Sequence, residues 1–243
     1  MRKTVMLLIC LLICISAYSE NNAKWIIDKM EDVMDYDTLS FNAVMKNNDK
    51  LGETTMSFTA YQKGNGDTLL LVTSGLDKGQ KILRLDDEIF IYYPDADEIV
   101  RLSGSGLKNS FLGSDFSYED LTGDDDYDER YSYELLGEEE YEGIDCYRIL
   151  FIAKKLSETY QREEMLIDKN RFVPLKQSLF SKSGKLLKEI FYSDYTSDLP
   201  LYPTMVKTQN AIKKSNSSEL RISALSFNGK LDESLFDKEE LSW

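Results

Sequence analysis

Thr38-Leu39-Ser40-Phe41-Asn42-Ala43-Val44-Met45-Lys46, the polar break Asn47-Asn48-Asp49, then Thr55-Met56-Ser57-Phe58-Thr59-Ala60: in this stretch apolar and polar residues alternate with a period of two. Successive strand side chains point to opposite faces, so Leu39, Phe41, Ala43 and Met45 share one face of a strand. After a turn at 47–49, Met56, Phe58 and Ala60 share one face of the next. The same rhythm continues outward through Thr68–Val72, Gln80–Leu85, Glu88–Tyr93 and Glu98–Leu102. It resumes at Arg130–Leu136, Asp145–Lys154, Tyr160–Asp168, Phe172–Ser181, Lys185–Tyr195, Tyr202–Asn210 and Glu219–Phe227. About a dozen strands with tight turns and no alternating helices predict an antiparallel sheet that must curl, close or stack to bury its apolar face.

Two segments break the rhythm. Upstream, Trp25, Ile26, Met30, Val33 and Met34 recur at helical spacing among Asp28, Lys29, Glu31 and Asp32, which predicts an amphipathic helix over 24–35. Downstream, 103–128 carries Gly104, Gly106, Gly113 and Gly123 and reads as a long loop with one or two helical turns. A short helical or capping element is expected over 232–241. No repeat and no linker marks a second domain, so one domain over 20–243 is expected.

The first residues predict export. Arg2 and Lys3 precede an apolar run from Val5 to Ile15, too short for a membrane span, and Ala17-Tyr18-Ser19 offers small residues for cleavage before Glu20. The alternatives are a retained anchor, for which no charged flank follows the run, and a lipid on Cys14, for which Ile13 is too large. A leader at 1–19 removes Cys10 and Cys14, which leaves Cys146 alone, with no intramolecular disulfide. Within the apolar Tyr147–Ile152 neighbourhood it reads as a small buried thiol.

The formal charge is −14 and there is no histidine. The acidic balance argues against nucleic acid and anionic membrane partners. The missing imidazole removes the usual triads, zinc sites and neutral-pH base. Between Asp115 and Asp145 stand fourteen acids and a single base, Arg130. Its core, Asp124 to Glu129, lacks the spaced ligands and glycine of an EF-hand, and a solvated acidic loop is the better reading. Gly104-Ser105-Gly106 is too short for a phosphate loop, and no motif selects a nucleophile. No enzyme, no cofactor and no metal are expected. What the composition does offer is softness: Met45, Met56, Met165 and Met205 with Phe41, Phe58, Phe90, Phe151 and Phe180 would line either a plain core or a surface that adapts to apolar ligands.

The segments Tyr93–Ser105 (YPDADEIVRLSGS) and Ser110–Leu121 (SFLGSDFSYEDL) resemble the signature of the LolA-like outer-membrane lipoprotein-sorting family. Supporting agreement runs through Ile167-Asp168-Lys169, Val173 to Lys176, Ser183 to Lys188, Pro203-Thr204 and Ser234-Leu235-Phe236. The resemblance implies an α+β, mainly β fold: an unclosed, strongly curved antiparallel sheet whose concave side is covered by helices and a loop around an apolar cavity. It also implies a monomeric periplasmic carrier of lipid or lipoprotein acyl chains, working between an inner-membrane exporter and an outer-membrane acceptor. On that basis Phe41, Met45, Met56, Phe58, Phe90, Phe111, Leu112 and Phe116 are expected to contact acyl chains. Trp25 and Met30 of the helix, and Arg101 bonding to lid carbonyls, are expected to close the lid. The alternative is an interaction module, or accessory subunit of a lipid-exporting permease, docking through the acidic segment.

Overall fold

The computed structural model describes residues 22–64, 66–86, 88–122 and 127–242. The expected leader, with Cys14 and its cleavage site, and the acids at 124–126 lie outside these residues. The fold is α+β and mainly β, an unclosed antiparallel sheet of thirteen strands with few helices. Two compact units divide the chain, one from residues up to Met34 with Tyr127–Lys185, the other from Asp35–Asp126 with Leu186–Trp243.

In the larger unit the strands are β1 Thr38–Asp49, β2 Gly52–Lys63, β3 Thr68–Ser74, β4 Lys81–Leu85, β5 Glu88–Tyr93, β6 Glu98–Ser103, β11 Leu186–Tyr195, β12 Pro203–Asn210 and β13 Ser217–Phe227. Their order is β6-β5-β4-β3-β2-β1-β13-β12-β11, so the central hairpin β1–β2 is the stretch with the clearest alternation. Register sets the faces. Phe41 pairs with Ala60, Ala60 with Leu70, Leu70 with Ile82 and Ile82 with Ile91. The parallel rows Ala43–Phe58–Val72 and Met45–Met56 extend the same face. These side chains are all buried, Met45 and Ile82 completely. The β1–β2 turn falls at residues 50–51, later than expected, because Asn47 and Asn48 still pair with Thr54 and Glu53. Gly52, at φ +127°, then takes the backbone conformation that an L side chain resists.

In the smaller unit β7 Tyr131–Tyr141, β8 Ile144–Ala153, β9 Arg162–Asp168 and β10 Pro174–Phe180 lie in the order β10-β9-β8-β7. Helix α1, residues 22–34, lays Ala23, Ile26, Ile27 and Met30 onto Tyr131, Tyr133, Ile149, Phe151, Met165 and Ile167. The 3.6-residue period read from the sequence is what puts those four residues on one stripe. Strand β7 runs five residues past its expected end at Leu136. A bulge at Gly137 (φ +140°) lets the strand continue, and the ion pairs Arg148–Glu139 and Lys169–Glu138 hold its acidic end. Cys146 is fully buried there, and burial pushes its thiol pKa up, as befits an inert side chain.

Polar contacts add to the apolar stripe in fixing α1. Lys24 Nζ donates to Asp28 and to Asp128, both at 2.7 Å, and the Tyr133 hydroxyl donates to Asp128 Oδ1 at 2.8 Å. The Lys24 ammonium and then the Tyr133 hydroxyl lower the Asp128 pKa, and Asp128 with Asp28 raises that of Lys24. A lowered carboxyl contributes stability above its unfolded value and loses it as the pH falls through the folded one. The Asp128 tie therefore weakens below about pH 4. Both groups are about half exposed, so the effect stays within about 1 kcal/mol. We expect Trp25 emission, read in a Trp243→Phe background, to shift as the pH drops below about 4, and Asp128→Asn to remove that step.

Candidate functional site

The segment 104–122 of the larger unit folds down onto the apolar face of its own sheet. Short 3-10 turns at Gly104–Lys108 and Phe111–Gly113 lead to helix α2, Tyr118–Thr122. A bridge joins Ser110 to Ser117, and the Phe111 N–H donates to the Phe116 carbonyl at 2.8 Å, so the residues between form a tight loop. Leu112 (φ 47°) and Gly113 (φ 78°) turn its tip through two left-handed residues. Leu112 itself is half-buried at this turn.

The buried side chains of the loop are Phe111 and Phe116, 0% and 2% exposed, with Tyr118. Phe111 sits edge-on between Phe58 of the sheet, at 5.9 Å, and Tyr118, at 5.4 Å. Burial, with Tyr93 and Asp77 adding to it, pushes the Tyr118 hydroxyl pKa up to about 12. Phe41 lies further along the same face, in a cluster with Tyr202 at 6.1 Å. Tyr36 and Phe227 each stand 6.2 Å or less from Tyr202.

While the loop's contact is apolar, its attachments are polar and come from four strands. Asp115 donates its N–H to Ser218 Oγ on β13 and accepts from Asn210 Nδ2 on β12, both at 2.9 Å. Its carbonyl accepts from Lys188 Nζ on β11 at 3.1 Å. The Lys188 ammonium also pairs with Asp120 in a largely buried salt bridge. Asp120 accepts from the Ser117 N–H, and the Asp120 N–H donates to Ser117 Oγ, a reciprocal cap on α2. On β4, Arg84 donates through Nε to the Asp86 carbonyl at 2.8 Å and through Nη1 to the Thr122 carbonyl at 2.5 Å. Ser114, Asp115, Ser117 and Asp120 thus each fold or tether the loop, Ser114 Oγ by accepting the Phe116 N–H at 3.2 Å.

Among the expected site residues, Phe41, Met45, Met56, Phe58, Phe111 and Phe116 are on or against this face. Phe90 and Arg101 are not. Phe90 pairs with Leu83 and Arg101, and Leu83 with Leu69, one residue out of phase with Ile82 and Ile91, so they occupy the opposite side. There Phe90 packs in a cluster with Leu69, Leu83, Phe236 and Leu241, under the C-terminal 3-10 turns Glu233–Phe236 and Lys238–Glu240. Arg101 is exposed and pairs with Glu88 across the β5–β6 hairpin. The arginine that bonds to a carbonyl of the covering segment is Arg84, which is 6% exposed. Its signal was parity: Arg84 keeps the phase of Ile82. In the smaller unit Met30 is buried under α1, whereas Trp25 is half exposed with its ring edge-on to Phe172 at 5.5 Å. We expect Arg101→Ala to change stability by less than about 0.5 kcal/mol in thermal denaturation. Arg84→Met, which leaves the Thr122 carbonyl without that donor, should cost about 2 kcal/mol.

The acidic stretch also divides. Asp115, Asp120 and Asp128 are internal ties, while Glu139, Glu140, Glu142 and Asp145 are exposed around the β7–β8 hairpin. No group of three potential metal-ligating side chains converges among the described residues, and no helix among them is long and apolar enough to cross a membrane.

Comparisons place this arrangement in a family. A family model described only as that of an uncharacterized protein matches residues 64–243. A DUF1329 family protein from Desulfovibrio piger is similar at 25% identity and a TM-score of 0.82, over 92% of this chain and 99% of that one. A domain from Vibrio parahaemolyticus, named for outer membrane lipoprotein sorting, has the same fold at 22% identity and a TM-score of 0.82, over 92% and 100%. A LolA superfamily protein from Nitrosomonas europaea matches at 23% and 0.74, over 89% and 98%. No curated protein matches the chain in sequence. With the family model spanning most of its length, the chain belongs to that family of uncharacterized proteins, and its open sheet is the LolA-like fold.

Proposed function

We propose that this protein is a carrier of lipid or lipoprotein acyl chains, exported to the periplasm and passing its cargo between the inner and outer membranes. One observation carries the reading: a Met- and Phe-rich sheet face is covered by a short loop that is apolar where it touches and polar where it is fastened. Polar ties can be exchanged for water, so lifting the loop as a unit costs chiefly the apolar contacts of Phe111, Phe116 and Tyr118, which cargo can replace.

The energetics require such a cover. Each methylene exposed to water costs about 0.8 kcal/mol, so a chain of some fifteen carbons needs about 12 kcal/mol of burial to cross an aqueous gap. Met45, Met56, Phe41 and Phe58 supply an adaptable wall, and Phe111 and Phe116 withdraw with the loop to make room. Arg84, Lys188, Asn210 and Ser218 then act as the catch that holds the empty protein shut. In the smaller unit, α1 covers its strands with the stripe that includes Met30, as a second lid. Named relatives support the reading, since two of the similar structures carry lipoprotein-sorting or LolA names.

The test is native mass spectrometry of protein purified from its own cell envelope, with uptake of a fluorescent fatty acyl probe by the delipidated chain. Bound lipid and saturable uptake are expected. A protein that emerges without lipid and takes up no probe overturns the proposal.

A further inference from the structure

Asn47 on β1, Ser218 on β13 and Thr208 on β12 are direct register partners, Asn47 with Ser218 and Ser218 with Thr208. They form a row across three neighbouring strands, with adjacent Cβ atoms about 5 Å apart. The next row along the same face is apolar: Met45, Leu220 and Val206. The polar row is as buried as the apolar one, at 7%, 2% and 1% exposure for Asn47, Ser218 and Thr208. Ser218 Oγ accepts the Asp115 N–H. Asn47 Oδ1 and Thr208 Oγ1 are buried with no hydrogen-bond partner. A protein that needed only a filled core would lose nothing by having leucine and valine at these positions, because a buried polar group without a partner is a net cost.

The closed loop shows what chemistry the row accepts. Its occupant at Ser218 is a peptide N–H, that of Asp115. We propose that the row is a recognition site for an amide group on the cargo, reached when Asp115 lifts away and replaced by the loop's own peptide when the carrier is empty. Asn47 Oδ1 and Ser218 Oγ are acceptors for an N–H, and the Thr208 hydroxyl can donate to the adjoining carbonyl. An amide offers both a donor and an acceptor. An ester offers acceptors alone and leaves Asn47 Oδ1 unmet. The site therefore selects amide-linked over ester-linked acyl chains, while the apolar rows hold the hydrocarbon of either. This inference rests on the carrier reading above and adds cargo class to it.

The experiment compares N-ethylhexadecanamide with ethyl hexadecanoate, which differ only by N–H against O, as competitors of a fluorescent acyl probe on the delipidated full-length chain. The wild type should bind the amide about tenfold more tightly, the worth of a buried hydrogen bond gained without loss. Asn47→Leu should abolish that preference with ester affinity unchanged, whereas Thr208→Val, which removes a donor to the carbonyl that both probes carry, should weaken both alike, and Thr208→Ser should keep both. Both apolar variants should melt no lower than the wild type, since each removes an unsatisfied group. Equal binding of the two probes by the wild type overturns the inference and leaves the carrier reading standing, as does an equal loss of both in Asn47→Leu. Binding of neither probe overturns both.

Discussion

Phe111→Ala should lower the thermal unfolding midpoint by about 10 °C and speed uptake of an acyl probe. Phe111 is fully buried and lies edge-on to both Phe58 and Tyr118. Truncating a buried phenylalanine costs about 3–5 kcal/mol, and each kcal/mol shifts the midpoint by about 2–4 °C in a chain of this size. Phe111 belongs to the loop, not to the sheet, so its loss weakens the cover and leaves the wall intact. Faster uptake with affinity little changed is the signature of a lid. An equal loss of stability with uptake unchanged would identify Phe111 as core alone. Phe111→Leu, which keeps most of the volume, is the variant to use if alanine prevents folding.

The second large effect belongs to the Lys188–Asp120 pair. The two side chains are 13% and 4% exposed. Lys188 also donates to the Asp115 carbonyl, so one ammonium ties both the tip and the cap of the loop to β11. Lys188→Met should cost about 3–5 kcal/mol if the loop stays down, because the Asp120 carboxylate would be left buried without its cation. The loop has another course. Lifting Asp120 into water avoids that penalty, so the loss of global stability is capped by the cost of opening the loop. Hydrogen exchange should show protection falling first at 111–122, ahead of the strands. Adding Asp120→Asn to Lys188→Met should recover part of the loss, which a double-mutant cycle measures as coupling of 0.5–3 kcal/mol. Additive effects of the two changes would refute the catch.

How much of this was legible in the chain follows from which features are local. The two-residue alternation of Leu39, Phe41, Ala43 and Met45 decided strand β1 and which residues share its face, because a strand's side-chain period is fixed by backbone geometry. The helical stripe of Ile26 and Met30 was equally direct. Strand β7 was read short because Gly137 and three glutamates look like a stop, and the compensating Arg148 and Lys169 come from β8 and just after β9. Phe90 and Arg101 were grouped with the wrong face because the phase of one strand against its neighbour depends on the turns between them.

By itself, then, the sequence determined the antiparallel sheet, the amphipathic helix, the interrupting loop and the likeness to the LolA-like fold. Those follow from local period, turn chemistry and a contiguous motif. Only the tertiary structure decided what fastens the motif segment to the sheet. The partners of Asp115 are Lys188, Asn210 and Ser218, roughly 70 to 100 residues away along the chain, and that of Thr122 is Arg84. Strand register, a collective property of the whole sheet, brings them to one face together with Asn47 and Thr208. No window of sequence contains that register, and so none contains these polar ties or the buried polar row beneath them.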